Sequence, residues 1–213
     1  MKNLIIIGIG GFAREVYWFL QKSIGFGTDW QVKGFLDGDV KLAAEEYMKL
    51  PKGVPVLGDV DSYEICENDI FTCAIGNPKV RRKLVEKMLE RGAEFTNIIS
   101  QDAFIMPTAK IGRGVIICLY CGVSDHAEIG DFCVMNSSTF VGHDAKVKNY
   151  SCIMSHVSIG GAAQIGAEVF IGSSVTILPK AKIGDGAYIG AASVVLKKVK
   201  ENAEVFGNPA VVI

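Results

Sequence analysis

The sequence predicts a mainly β protein in which a small α/β domain precedes a parallel β-helix. One observation is an apolar residue at every sixth position from Ile111 to Val195. Another is a repeated strand–helix–strand rhythm in the first 100 residues. The first pattern indicates a repeat architecture and the second a parallel sheet. We therefore expect an α/β domain over residues 1–100, a β-helix over residues 101–198 and a tail over residues 199–213.

The six-residue period predicts the β-helix. Fifteen successive positions, six residues apart, are apolar between Ile111 and Val195. An α-helix repeats every 3.6 residues and an ordinary strand every two, so neither produces this pattern. A coil of three short strands does, because each strand turns one apolar side chain into a triangular prism. Fifteen hexads predict five coils of 18 residues, stacked about 4.8 Å apart as neighbouring strands are.

The first 100 residues follow a different rhythm. Residues 4–7 form an apolar run typical of a buried strand, and glycines at its end lead into a helix. Residues 30–36 predict a second strand, and residues 70–75 a later one with a basic helix after it. This alternation predicts a small parallel sheet of the Rossmann-like kind.

The composition argues against several classes of protein. Twenty-two basic and 23 acidic side chains nearly cancel, so there is no electrostatic case for nucleic acid or an anionic membrane as a partner. The six cysteines are scattered, and Cys118 and Cys121 form an isolated C-x-x-C without a second pair at zinc-site spacing. They predict a reduced, cytoplasmic protein. The apolar run over residues 4–7 is too short for a signal peptide or a membrane span.

A glycine-rich turn follows the first predicted strand. Gly8, Gly10 and Gly11 stand where that strand gives way to a helix. Glycines there let the backbone approach a phosphate, and the helix N-terminus offers free N–H groups and a positive dipole end. Asp37 ends the next strand, where an acidic side chain can bind a ribose or sugar hydroxyl. These features predict a phosphate or nucleotide site, and the alternative is a tight turn without a ligand.

The predicted strand over residues 70–75 leads into a basic helix. Gly76 and Asn77, at the end of that strand, are placed in the same substrate site. Runs of charge are usually solvated helix faces, and we interpret this one so. The alternative is a phosphate contact from Arg81 or Arg82. The basic residues are Lys79, Arg81, Arg82, Lys83 and Lys87.

A histidine and an aspartate are adjacent inside the repeat. His143 is the second residue after Val141 of the six-residue period, which places it at a corner of the prism and outside the packed interior. An imidazole with an ordinary pKa of about 6.5 suits proton removal near neutral pH. Asp144 is expected to orient the ring, as carboxylates do in other acyl-transfer sites. The alternative is a pair between Asp144 and His126, which lies 18 residues, or one coil, earlier.

A glycine-rich domain joined to hexapeptide coils resembles the bacterial sugar O- and N-acetyltransferases. This group includes the sialic acid O-acetyltransferase NeuD family and the bacillosamine-pathway enzyme PglD. The resemblance rests on Asn136 seven residues before His143, on the His143–Asp144 pair and on the terminal Gly207-Asn208-Pro209-Ala210. It implies a left-handed β-helix, a homotrimer, acetyl-CoA as co-substrate, no metal, and His143 as the base with Asp144 and Asn136 in the catalytic group.

The resemblance also implies two ligand sites. A nucleotide-linked sugar would bind the first domain through the residues from Gly8 to Phe12 and Asp37. Acetyl-CoA would bind the prism near Cys152, Gly161, Ser173 and Ala191. The sequence departs from the family pattern in three places: Phe12 and Cys152 stand where the family often has histidines, and Val211 replaces a frequent Lys or Arg.

The leading hypothesis is acetyl transfer from acetyl-CoA to an amino group, or a hydroxyl, of a sugar that is linked to a nucleotide. A sialic acid-type O-acetyltransferase and a non-catalytic nucleotide-sugar-binding module are the alternatives. A metal-dependent lyase of the γ-carbonic anhydrase type needs three histidines on one zinc. His126, His143 and His156 are the only histidines, and the 18-residue coil places His156 away from His143.

Overall fold

The computed structural model describes residues 1–37 and 47–213. Gly38 and Asp39, which the sequence places just after the second strand, lie outside the described residues. The N-terminal domain contains four strands and two helices in this part of the chain. They are β1 (Lys2–Ile7), α1 (Gly11–Leu20), β2 (Trp30–Asp37), β3 (Val56–Asp59), β4 (Asp69–Cys73) and α2 (Pro78–Glu90).

The four strands form one parallel sheet in the order β3-β2-β1-β4. Ile7 at the end of β1 pairs with Leu36 of β2 on one side and Cys73 of β4 on the other. The carboxyl ends of these strands therefore meet at one edge, which we call the carboxyl edge. The strand order reverses between β1 and β4, and open α/β sheets bind ligands outside such a point.

The β-helix consists of eighteen two-residue strands, β5 to β22, arranged in three sheets. Face 1 contains β5 (Ile98–Ile99), β8 (Ile116–Ile117), β11 (Val134–Met135), β14 (Cys152–Ile153), β17 (Phe170–Ile171) and β20 (Tyr188–Ile189). Face 2 contains β6 (Phe104–Ile105), β9 (Gly122–Val123), β12 (Phe140–Val141), β15 (Ser158–Ile159), β18 (Thr176–Ile177) and β21 (Val194–Val195). Face 3 contains β7 (Lys110–Ile111), β10 (Glu128–Ile129), β13 (Lys146–Val147), β16 (Gln164–Ile165), β19 (Lys182–Ile183) and β22 (Lys198–Val199).

Register follows the sequence period. Glu128 pairs with Lys146, 18 residues on, and Cys152 pairs with Phe170 in the same way. The second residue of each strand points inward, as Ile153 and Ile171 do in the buried core. A residue with positive φ recurs every six positions at the corners, for example Asp144 at 58° and Tyr150 at 62°. The predicted fold class, a mainly β protein with a left-handed hexapeptide β-helix behind a small Rossmann-like domain, is confirmed.

The last coil is shorter than the others. Lys182 pairs with Lys198 and Tyr188 with Glu204, so the step along the chain falls from 18 residues to 16. The coil thus continues past Val195, where the strict six-residue period ends. Two further strands finish face 1: β23 (Glu204–Phe206) and β24 (Val211–Val212), which pair with each other in antiparallel fashion.

The N-terminal domain packs on face 1. Val16 and Leu20 of α1 join one apolar cluster with Val134 and Cys152 of the β-helix. Val85 and Met88 of α2 join a second cluster with Phe132. In the described part of the chain, no helix is long and apolar enough to cross a membrane.

Arg81 corrects the interpretation of α2 as a solvated basic face. Its side chain is 1% exposed, and its Nε donates to the carbonyl oxygen of Phe132 at 2.9 Å. Its Nη1 donates to the carbonyl of Ile75 at 2.6 Å and its Nη2 to that of Tyr150 at 2.6 Å. The sequence could not show this burial, because the acceptors lie 51 and 69 residues away in the β-helix.

Candidate active site

The glycine turn lies on the carboxyl edge, as predicted. Gly8 has a φ of 110° and its N–H donates to the Leu36 carbonyl at 2.7 Å. A Cβ at Gly8 would lie 2.9 Å from Ile75 Cδ1 and 3.1 Å from the Ala74 carbonyl oxygen. Two features therefore require glycine at this position: the positive φ of the backbone and the close approach of the loop after β4. Gly10 is the N-cap of α1 without a side-chain hydrogen bond, and Gly11 begins the helix.

Asp37 and Phe12, which are also predicted for the substrate site, lie in different surroundings. Asp37 is partly exposed at the end of β2, and its carbonyl accepts the N–H of Val60 at 3.0 Å. Phe12 packs against the apolar cluster beneath α1.

Asn77, beside Gly76, is the N-cap of α2. Its Oδ1 accepts the N–H groups of Lys79 at 3.0 Å and Val80 at 3.1 Å. An Asn directly before Pro78 is a typical helix start. This signal in the sequence could have identified the side-chain oxygen of Asn77 as a helix cap.

The His143–Asp144 pair lies on the corner between faces 2 and 3. Nδ1 of His143 lies 2.8 Å from Oδ2 of Asp144, and the two side chains are 68% and 61% exposed. Asp144 thus pairs with His143. His126, the alternative partner, lies one coil earlier with its Nε2 at 3.8 Å from Asp125 Oδ2. With Nδ1 bound to a carboxylate, Nε2 of His143 is the ring atom available to a ligand.

Gly161 makes room for the imidazole. It lies one coil after His143, and a Cβ on it would come within 2.6 Å of Nε2 and 2.8 Å of Cε1. At the same place in neighbouring coils the chain has Asp125 and Pro179, so this turn position accepts side chains. The imidazole of His143 therefore leaves no room for a side chain at Gly161.

The backbone beside His143 has unpaired donors. At the corner between faces 3 and 1, Asp131 Oδ1 accepts the N–H of Arg113 at 3.0 Å, and Asn149 Oδ1 accepts that of Asp131 at 2.9 Å. In residues 1–37 and 47–213, the N–H groups of the equivalent residues His143 and Gly161 have no acceptor. They are available to donate to a negatively charged oxygen, as oxyanion-binding N–H groups do.

Other predicted residues lie elsewhere on the prism. Asn136 is 9% exposed at the corner between faces 1 and 2, and its Oδ1 accepts the N–H of Ser137 at 2.8 Å. Ser173 and Ala191 lie on this corner in later coils, and so does His156. The structure therefore does not bring Asn136 and His143 together within one chain. Among the described residues, no group of three His, Cys, Asp or Glu side chains could hold a metal ion.

Cys152 is buried rather than presented to a groove. Its side chain is 1% exposed in the apolar cluster under the N-terminal domain. Burial raises the pKa of its thiol, and the nearby Arg81 lowers that pKa to a smaller extent. The thiolate is therefore disfavoured at neutral pH, and nucleophilic chemistry at Cys152 with it.

Two family models match the chain. Residues 3–88 match the PglD N-terminal domain, and residues 162–197 match the bacterial transferase hexapeptide family of six repeats. A UDP-N-acetylbacillosamine N-acetyltransferase of Bacillus subtilis is 28% identical over 55% of this chain and 51% of its own length. A GDP-perosamine N-acetyltransferase of Escherichia coli O157:H7 is 32% identical over 36% of this chain and 35% of its own length. The matched regions thus span about half or less of these curated relatives.

A solved structure is similar over the whole chain. The perosamine N-acetyltransferase of Caulobacter crescentus, as a histidine-to-asparagine mutant in complex with CoA and GDP-perosamine, superposes with a TM-score of 0.88. It is 25% identical and the match covers 100% of this chain and 97% of that one. Fold and matches together define a hexapeptide-repeat β-helix behind a PglD-type N-terminal domain. The chain is therefore similar to the PglD-like sugar acetyltransferases.

Proposed function

We propose that the protein transfers the acetyl group of acetyl-CoA to an amino group of a nucleotide-linked sugar. The observation that carries this proposal is the His143–Asp144 pair, at 2.8 Å, on an exposed corner beside the unpaired N–H of Gly161. A base and an oxyanion donor in one place are what acyl transfer needs. An amine is the proposed acceptor because the relatives are named N-acetyltransferases.

In the proposed reaction, the sugar nitrogen attacks the thioester carbonyl carbon. Nε2 of His143 takes the proton from the nitrogen, and Asp144 stabilises the imidazolium that forms. The carbonyl oxygen becomes negatively charged and accepts a hydrogen bond from the Gly161 N–H. The C–S bond then breaks, the amide forms, and the imidazolium returns its proton to the sulfur of CoA.

The carboxyl edge is the proposed site for the nucleotide. Gly8, Gly10 and Gly11 leave the backbone open at the start of α1, whose N-terminal N–H groups favour a diphosphate. Asp37, at the end of β2, suits a ribose hydroxyl. On the prism, Ser173 and Ala191 remain proposed contacts of acetyl-CoA, whereas the side chain of Cys152 is covered in this chain. The cytoplasmic location expected from the scattered cysteines is part of the same proposal.

A homotrimer is also part of the proposal. Face 1 holds the N-terminal domain, and His143 lies on the corner between faces 2 and 3, opposite to it. His143 therefore faces away from the carboxyl edge of its own chain. A second copy, arranged by cyclic symmetry, supplies the missing half of each site.

The experiment is a CoA-release assay with acetyl-CoA and a panel of nucleotide sugars. UDP- and GDP-linked amino sugars are compared with the same sugars that carry a hydroxyl in place of the amine. We expect thiol release and an acetamide product only with amino sugars. Release confined to hydroxyl acceptors would reject the proposed acceptor, and no release with any acceptor would reject the function.

A further inference from the structure

A cavity of about 520 Å³ lies between the two domains, beside the carboxyl edge. One wall is the loop of Gly76 and Asn77 with the start of α2. Met154, Phe170 and Tyr188 of face 1 form the other wall. The cavity thus lies beside the edge where the nucleotide site is proposed, and residues of both domains line it.

The β-helix wall ends in a stacked aromatic pair. The rings of Phe170 and Tyr188 are parallel within 5°, with centroids 5.0 Å apart. On the same face, the N-terminal domain covers Val134 and Cys152 completely. It leaves Tyr188 44% exposed. Part of the aromatic pair, mainly Tyr188, is therefore open to a ligand directly above the covered part of face 1.

Interdomain contacts hold the two walls at a fixed separation. Arg81 donates to the carbonyls of Ile75 and Gly76 on the loop side, and to those of Tyr150 and Ser151 on the β-helix side. On the surface, Arg82 Nη1 lies 2.6 Å from Oε1 of Glu168, which also lines the cavity. The planar guanidinium fixes direction as well as distance. The cavity is preformed, as ligand pockets usually are.

The position of the cavity decides which part of the substrate it suits. In this type of sheet the ribose binds the acid after β2 and the diphosphate binds the turn after β1. The group beyond the diphosphate then lies on the side of β4, where Gly76 and Asn77 are. For a nucleotide-linked sugar, that group is the sugar. The C–H groups on the apolar face of a pyranose pack against the electron-rich faces of aromatic rings, and Glu168 and Glu204 at the rim can accept from hydroxyl groups.

We propose that this cavity binds the sugar of the nucleotide-linked substrate, with the exposed ring of Tyr188, supported by Phe170, against its apolar face. The inference rests on the proposed function, because it takes the nucleotide-binding edge as given. It identifies specificity residues on the β-helix of the same chain, which the glycine-turn motif does not reveal.

The test compares binding of GDP and UDP with binding of GDP-mannose and UDP-N-acetylglucosamine by calorimetry, on the full chain. In the unsubstituted protein we expect at least one nucleotide sugar to bind more tightly than its nucleotide. Tyr188→Ala should weaken that nucleotide sugar about fivefold or more, while the affinity for the nucleotide and for CoA changes less than about twofold. Tyr188→Phe, which keeps the ring, should bind as the unsubstituted protein does.

Phe140→Ala is the matched control, since Phe140 is an exposed aromatic residue on face 2. It should leave all affinities unchanged. Equal weakening of nucleotide and nucleotide sugar by Tyr188→Ala would show that the base or diphosphate occupies the cavity, and loss of CoA binding would assign it to CoA. Either result overturns the inference about the sugar site and leaves the proposed function unaffected. No binding of any nucleotide by the unsubstituted protein would overturn the proposed function as well.

Discussion

At the scale of single residues, the imidazole of His143 is held from two sides. Asp144 binds Nδ1 at 2.8 Å, and the missing side chain of Gly161 leaves space for the ring. The pair could be predicted because adjacent residues need no tertiary structure to meet. The role of Gly161 could not, because it depends on a contact between successive coils.

His143→Ala should lower kcat by about 10²- to 10⁴-fold, the usual cost of losing a general base. The KM for acetyl-CoA should change little, because the imidazole acts on the acceptor. Steady-state kinetics with an amino-sugar nucleotide measure both. His156→Ala is the control, since His156 lies on the corner between faces 1 and 2. A larger loss from His156→Ala in a folded protein would show that the base is wrongly assigned.

Gly161→Ala should displace the imidazole, because the new Cβ would lie within 2.6 Å of Nε2. We expect kcat to fall about 10- to 100-fold, the effect of misplacing a reacting group by about 1 Å. In a His143→Ala background the same substitution should have no further effect, because the ring is gone. Kinetics of the single and double variants give this comparison.

The control for Gly161→Ala is Gly122→Ala, where the Cβ would meet the exposed ring of Phe140 at 2.4 Å on face 2. It creates the same kind of clash away from His143 and should leave kcat unchanged. An equal loss of kcat in both variants would show that glycine is needed for the fold of the coil and not for the position of the imidazole.

At the scale of elements, the period of six predicts the strands of the β-helix and their register, because one apolar side chain per strand must enter the prism. The docking of α2 is different. Its basic residues resemble a solvated face, yet Arg81 is buried and donates to five backbone carbonyls from both domains. Charge in a sequence does not reveal which acceptors will surround it.

Arg81→Met should destabilise the protein by on the order of 3 kcal/mol or more, because buried carbonyls lose their donor. The methionine matches the length of the side chain and removes only the hydrogen bonds and the charge. Arg82→Met is the control: Arg82 is exposed and pairs with Glu86 and Glu168, and exposed ion pairs contribute about 1 kcal/mol or less. Urea unfolding followed by circular dichroism measures both, and equal losses would contradict the structural assignment of Arg81.

At the scale of the whole molecule, we expect the proposed site to be divided between copies. The carboxyl edge belongs to the domain on face 1, and His143 lies on the opposite corner of the prism. One chain therefore contains both the carboxyl edge and His143, but these two parts of the proposed site are far apart within it.

Mixing two impaired variants, at a nucleotide-sugar concentration at which each alone shows little activity, tests this division. Asp37→Ala should weaken the nucleotide sugar and spare acetyl-CoA, and His143→Ala should remove the base. After co-refolding in equal amounts, about a quarter of the sites in a symmetric trimer should combine an intact edge with an intact histidine. Activity should return to about that fraction. Continued inactivity of a mixture shown by native mass spectrometry to contain hybrid trimers would mean that each site lies within one chain.

The sequence by itself determined the β-helix, the parallel α/β domain, the glycine turn at Gly8 and the His143–Asp144 pair. Each depends on the spacing of residues that are close together in the sequence, and this spacing can be read from the sequence directly. Only the tertiary structure decided that Cys152 is covered, that Arg81 joins the domains, and that Phe170 and Tyr188 border a cavity. These features depend on where the N-terminal domain packs on face 1. That packing is set by apolar surfaces from distant parts of the chain. The periodicity of the sequence does not indicate which of these surfaces pack together.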